Sequence, residues 1–189
     1  MNQNSVQHSD KELVSLSVMD ADFFAVLIER YKDKLTRYIR RITSVSMEDE
    51  EDIVQEVFIQ AYTNLNGFDA SLSFNSWIYR ITHNKVIDWN RKHRRNQKNG
   101  HLEIDDADLA LFFGSNDIVK NIDQEISKET INSAFNEIKP LYREVLVLKF
   151  IEEKSYTEIS DILKKPEGTV GTLIHRAKQS FKEYYENNS

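Results

Sequence analysis

No cysteine occurs among the 189 residues. That excludes disulfides, thiolate metal sites and cysteine nucleophiles, and it suits a reducing compartment, the cytoplasm. Proline and glycine are scarce, at two and five residues, so few positions break a helix. No apolar run approaches the roughly 20 residues that a membrane span needs. The opening stretch, MNQNSVQHSDKELVSLSVMD, is polar and acidic and lacks the apolar core of a signal peptide. There is no Gly-rich phosphate loop, and the five histidines show no His-x-x-x-His spacing. The acids from Glu48 to Asp52 point around a helix instead of converging, and Asp105-Asp106-x-Asp108 lacks the rest of a calcium loop. With no convergent acid–base or metal set, neither catalysis nor a cofactor is expected.

What is present is charge, unevenly distributed. The formal net charge of −6 argues, taken whole, against a polyanionic partner. The sum hides segregation. From Trp77 to Lys98, seven basic residues face Asp88 alone, a net of +6. From Asn99 to Glu137, nine acids face two lysines, a net of −7. A basic block followed directly by an acidic one suggests a nucleic-acid face beside a segment that meets a positive partner.

The apolar spacing is helical. Phe23, Leu27, Tyr31, Leu35, Tyr38 and Ile42 recur at three- and four-residue steps. A second helix starts at the acids Glu48–Asp52 and carries Ile53, Val57, Phe58, Ala61, Tyr62 and Leu65 inward. Asn66-Gly67 ends it, a polar loop runs to Ser73, and a third helix spans about Phe74 to Lys92. Farther on, Ile131, Ala134, Phe135 and Ile138 mark another amphipathic helix, and Pro140 opens the next. Ser155-Tyr156-Thr157-Glu158 reads as a capping box. The turn Lys164–Gly168 then leads to a last helix from about Thr169 to Tyr185. The expectation is an all-α protein of two helical domains on a flexible acidic linker. Residues 1–19 form a flexible N-terminal segment, 20–95 the first domain, 96–126 the linker and 127–189 a second domain with a helix-turn-helix.

Two places can carry chemistry. On the last helix Val170, Ile174, Ala177 and Phe181 form an inward stripe, leaving Thr169, Thr172, Arg176 and Gln179 outward with His175 and Lys178 at the margins. Hydroxyls, an amide and a guanidinium on one face suit base edges and phosphates of duplex DNA. An ordinary helical hairpin with a solvated face has the same spacing. On the third helix, cations are interleaved with Trp77, Tyr79, Trp89, His83, Asn84 and Asn90. Cations track a phosphate backbone and rings stack on unpaired bases, so this set fits melted DNA. The alternative is that Trp77 and Trp89 are core and the cations a solvated face.

Three stretches, in this order, resemble the extracytoplasmic-function (ECF) sigma factors of bacterial RNA polymerase. Glu50-Glu51-Asp52-Ile53-Val54-Gln55-Glu56-Val57-Phe58-Ile59 resembles their polymerase-binding helix. Phe74-Asn75-Ser76-Trp77-Ile78-Tyr79-Arg80-Ile81-Thr82-His83-Asn84, with Asp88 and the Arg91–Arg95 cluster, resembles their DNA-melting helix. The run from Glu167 to Lys178 resembles their second DNA-binding helix. The resemblance covers about residues 20–95 and 127–185.

It implies a sigma factor whose partners are core RNA polymerase, at its clamp region and upstream-face flap, and promoter DNA, both as duplex and as melted non-template strand. Asp52, Gln55, Glu56 and Phe58 would meet the polymerase clamp. Asn64, Phe68, Asp69, Trp77, Arg80, His83, Asn84, Arg91, Lys92, Arg94 and Arg95 would handle the −10 element. Lys165, Thr169, Thr172, His175, Arg176, Lys178 and Gln179 would handle the −35 element. An anti-sigma factor and an additional recruiting protein stay open as partners. One departure stands out: the family often carries a basic residue at the place of Gly171 and arginine at that of Leu173. The expectation is therefore a shallow −35 readout. The rival reading is a stand-alone helix-turn-helix regulator, which would bind duplex operator as a dimer without polymerase.

Overall fold

The computed structural model describes residues 8–69, 71–93, 108, 112 and 128–188. They divide into two compact units. The first runs to Ile39 and resumes from Val45, and the second takes Arg40–Ser44 with the residues from 108 on. No strand occurs among the described residues.

The first unit holds α1 (Asp10–Ser17), α2 (Asp22–Ile42) as far as Ile39, α3 (Met47–Thr63) and α4 (Phe74–His93). Helix α1 occupies part of the stretch 1–19 that was expected to be flexible. Ser9 and Glu12 close a capping box that satisfies two backbone donors of its first turn. Leu13 and Val14 are buried, and α1 packs against α4. Asp10 accepts hydrogen bonds from the Arg30 guanidinium and the Tyr31 hydroxyl, tying α1 to α2. Burial, with Asp10 as its hydrogen-bond acceptor, pushes the Tyr31 phenol far above its ordinary range.

Leu27, Tyr31, Leu35 and Tyr38 are buried as their spacing predicts, whereas Phe23 and Ile42 are only half-buried and Phe24 and Ile39 complete the stripe. Ser46 caps α3 by accepting the Asp49 amide at 3.1 Å. Helices α3 and α4 pack side by side. Tyr62, expected inside, is 45% exposed. Its ring leans on Phe24 at 5.0 Å at the rim of the core instead of entering it. A 3-10 turn, Leu65–Gly67, leads from α3 into the loop before α4.

The second unit holds α5 (Lys128–Glu137), α6 (Pro140–Leu146), a π-helical turn (Val147–Ile151), α7 (Tyr156–Leu163) and α8 (Glu167–Asn188). Helix α8 packs on α5, α6 and α7. Pro140 stands in the first turn of α6, where its missing N–H leaves no bond unmade. Buried Arg143 donates to the Phe135 and Asn136 carbonyls at 2.5 and 2.9 Å, satisfying oxygens at the end of α5. Desolvation lowers its pKa to about 10.

Phe112 is fully buried here, among Phe135, Phe150 and Phe181 at 5.2, 5.7 and 5.2 Å between ring centroids. The remainder of the stretch read as linker, 96–126, lies outside the described residues apart from Asp108. The capping box at Ser155 and Glu158 forms as its spacing predicts. Lys164, at φ 53° and ψ 46°, supplies the left-handed residue that ends α7, and Ser160 Oγ braces the turn by donating to the Lys165 carbonyl at 2.6 Å. Helix α8 begins at Glu167, two residues before its expected start.

Candidate polymerase and DNA interfaces

Along α3, Asp52, Gln55 and Glu56 are exposed. Phe58 is not: it is 6% exposed and meets Phe24 edge-on at 6.4 Å. It can reach a partner only as a wall of an apolar groove of about 690 Å³ between α2 and α3, shared with Phe24, Ile28, Val54, Ile59 and Tyr62. Ile59, at 57% exposed, is an apolar side chain that α3 offers beside it, and sequence reasoning left it out of the contact set. Glu56 accepts from Lys85 Nζ on α4 at 2.8 Å. That hydrogen bond, with the charges of Lys85 and Lys92, holds the Glu56 carboxyl below the usual range. Asp52, Glu56, Lys85 and Lys92 line one small polar cleft of about 260 Å³. The acids assigned to one partner and a cation assigned to the other thus meet in the same cleft.

The loop before α4 folds back on the helix through aromatic packing. Phe68 lies 4.9 Å from Trp77, and Phe74 lies 5.7 Å from Trp77 and 6.0 Å from Phe68. Trp77 is 9% exposed, so its ring is largely core. Phe68 and Arg80 are half-buried, and Asn84 is exposed two turns on from Trp77. The Asn64 amide donates to the Gln60 carbonyl at 2.8 Å, closing the end of α3. Asp69 accepts the Ser71 amide at 2.9 Å, which shapes the loop and lowers its pKa. His83 is half-buried, and Lys92 and Arg91 are exposed, Arg91 pairing with Asp88 at 3.0 Å. Trp89 stacks on His93 at 4.4 Å, so this second tryptophan belongs to the helix's own surface. Arg94 and Arg95 lie outside the described residues.

On α8, Val170, Ile174, Ala177 and Phe181 are buried. Thr169, Thr172, His175, Arg176 and Gln179 stand exposed on the far side. Thr172 donates its hydroxyl to the Gly168 carbonyl at 2.9 Å. Lys165 is half-buried in the turn. Lys178 is half-buried too, its ammonium 4.8 Å from the Phe150 ring centroid, a cation–π contact that directs it toward the domain. Tyr156 and Lys149, which sequence reasoning passed over, border this face: Lys149 Nζ lies 5.3 Å from the Tyr156 centroid. Among the described residues no cluster of acids and histidines is arranged to hold a metal ion, and no helix is long and apolar enough to cross a membrane.

A helical unit ending in a basic, aromatic helix is followed by a helix-turn-helix with a polar outer face, an arrangement suited to nucleic acid. The family descriptions "Sigma-70 region 2" and "Sigma-70, region 4" match residues 27–96 and 128–181. The ECF RNA polymerase sigma factor SigW of Bacillus subtilis is 34% identical over 92% of this chain and 94% of its own length. The ECF sigma-E factor of Escherichia coli is 31% identical over 93% and 94%. Among solved structures, CnrH in complex with the cytosolic domain of CnrY aligns with a TM-score of 0.69 at 23% identity, covering 95% of this chain and 99% of that one. RpoE of Bartonella quintana, solved with the anti-sigma factor NepR, aligns with a TM-score of 0.65 at 17% identity over 88% and 98%. These two likenesses are of fold. The chain belongs to the ECF RNA polymerase sigma factor family. It is a sigma factor, which acts with core RNA polymerase at promoter DNA to initiate transcription.

Proposed function

We propose that the two units divide promoter recognition between them. The first docks on the polymerase clamp through Asp52, Gln55, Glu56 and the groove walled by Phe58, and it captures the melted −10 strand along Phe68, Trp77, Arg80 and Asn84. The second reads the −35 duplex through Thr169, Thr172, His175, Arg176 and Gln179, and meets the upstream-face flap of the polymerase. Residues 96–126 connect these tasks, and the acidic charge of that stretch suits a channel built for a polyanion. The protein acts as a stoichiometric subunit without catalysis of its own, in the cytoplasm where polymerase and DNA meet. An anti-sigma factor is the further partner expected, of the kind solved on RpoE of B. quintana. A recruiting protein would offset the lack of a cation at Gly171 and Leu173.

The observation that carries this reading is the exposed polar face of α8, opposite a fully packed apolar stripe. The test is transcription in vitro. Core polymerase from the source organism is combined with this protein and fragmented genomic DNA, and RNA 5′ ends are sequenced. New start sites that share upstream sequence at both the −10 and −35 positions are expected. Tight duplex binding without polymerase, and no new starts, would refute the reading.

A further inference from the structure

Gly171 sits one turn into α8, half-buried, on the flank that faces the start of α7. A Cβ placed there would lie 3.5 Å from Cε2 and 4.0 Å from Cδ2 of Tyr156, an ordinary van der Waals contact. The tyrosine ring therefore lines the space that a side chain at 171 would enter. Tyr156 is 42% exposed, a large aromatic side chain left open to solvent next to Gly171.

Three features hold the ring in place. Tyr156 is the first residue of α7, directly after the Ser155 cap. Lys149 rides over its face at 5.3 Å and donates to the Lys154 carbonyl at 3.3 Å. Lys149 itself sits in the π-helical turn, whose Glu152 amide reaches back to the Val147 carbonyl at 2.9 Å, and Glu153 follows at φ 52°. Turns of this kind are rare and recur at functional sites. The result is a shallow notch with an aromatic wall, a backbone floor at Gly171 and no side-chain donor at that position.

We propose that Tyr156 is a specificity-determining residue that reads a thymine methyl group of the −35 duplex in the notch over Gly171. The inference rests on the reading of α8 as the −35 helix. In the major groove thymine alone presents a methyl, and apolar contact is how it is recognised. A cation at 171 would favour guanine, whose O6 and N7 accept hydrogen bonds. Glycine there leaves room for the methyl, and a preorganised ring loses little freedom on meeting it.

The experiment uses the complete holoenzyme on a promoter found by start-site mapping. Each −35 thymine is replaced in turn by deoxyuridine, which removes only the methyl. Wild type is expected to bind about four-fold more weakly at one position, the effect of burying one methyl. Tyr156→Ala should abolish that difference, and Tyr156→Phe should keep it. Gly171→Ala, whose added methyl fits the folded chain, should occupy the notch and abolish the difference while the helix content stays intact. The inference is overturned if −35 DNA is protected but no deoxyuridine matters, or if the methyl effect survives Tyr156→Ala. It is also overturned if Tyr156→Ala weakens all sequences alike, which marks a phosphate contact. Absence of any −35 protection by wild type would instead overturn the assignment of α8 itself.

Discussion

Replacing Phe112 with alanine should unfold the second unit and leave the first intact. The ring is fully buried and meets three other phenylalanines at 5.2–5.7 Å. Emptying such a site costs about 3–5 kcal/mol, because the transfer energy of the ring is lost and the cavity collapses only partly. A unit of this size has roughly 3–9 kcal/mol in total, at about 0.05–0.15 per residue. Little or none would remain. With a urea dependence of about 1 kcal/mol per molar, the midpoint should fall by about 3 M or more. The sequence supplies the assay, since both tryptophans, Trp77 and Trp89, belong to the first unit. Fluorescence follows that unit alone, and far-ultraviolet circular dichroism follows both. The variant should lose part of its helical signal early in urea while its fluorescence midpoint stays at the wild-type value. An unchanged dichroism profile would show that Phe112 is not part of this core. An equal shift in both signals would show that its loss is not confined to the second unit.

Ser155→Ala removes the cap of α7 and should cost about 1 kcal/mol, again visible by dichroism and silent in fluorescence. Gly171→Ala should raise the stability of the same unit by up to about 1 kcal/mol, since a helix-interior glycine is replaced without a clash; a loss would mean that the notch is tighter than 3.5 Å. Arg176→Glu should weaken promoter binding and lower the salt slope of the holoenzyme by about one, and an unaltered slope would place Arg176 away from DNA. Trp77→Ala should spare association with core polymerase and reduce permanganate reactivity of −10 thymines, measured where Trp89 fluorescence reports a folded first unit; unchanged reactivity removes Trp77 from melting.

Much of the fold was legible because its determinants are local. The stripe from Leu27 to Tyr38, Pro140 at a helix start and the Ser155–Glu158 box each act within a few residues, so spacing alone reveals them. Helix α1 was missed although Ser9 and Glu12 have the same box spacing. Its two buried apolar residues are too few to show periodicity, and its anchor, Asp10 on Arg30 and Tyr31, joins residues 20 and 21 positions apart. Phe112 was hidden for the same reason, since nothing near it in sequence announces the ring cluster that surrounds it. The π turn has no sequence signature at all. At the interfaces, residue type and helical spacing placed Thr172 and Arg176 on the outer face. Spacing also turned Phe58 inward, as the structure has it, and left Trp77 open between core and DNA; it could not show that Lys178 lies against Phe150. A glycine inside an exposed helix was visible from the start. That a tyrosine from the preceding helix lines the gap depends on how two helices cross.

The left-handed backbone at Lys164 sets two demands against each other at one residue. Glycine there would relax a conformation that costs an ordinary residue about 1–2 kcal/mol, so the hairpin would hold more firmly. The same replacement would strip an exposed ammonium from the bend that leads into α8, and with it part of the attraction that draws a phosphate backbone toward the helix. Selecting for heat resistance and selecting for promoter occupancy should therefore drive position 164 in opposite directions, a trade-off confined to a single codon.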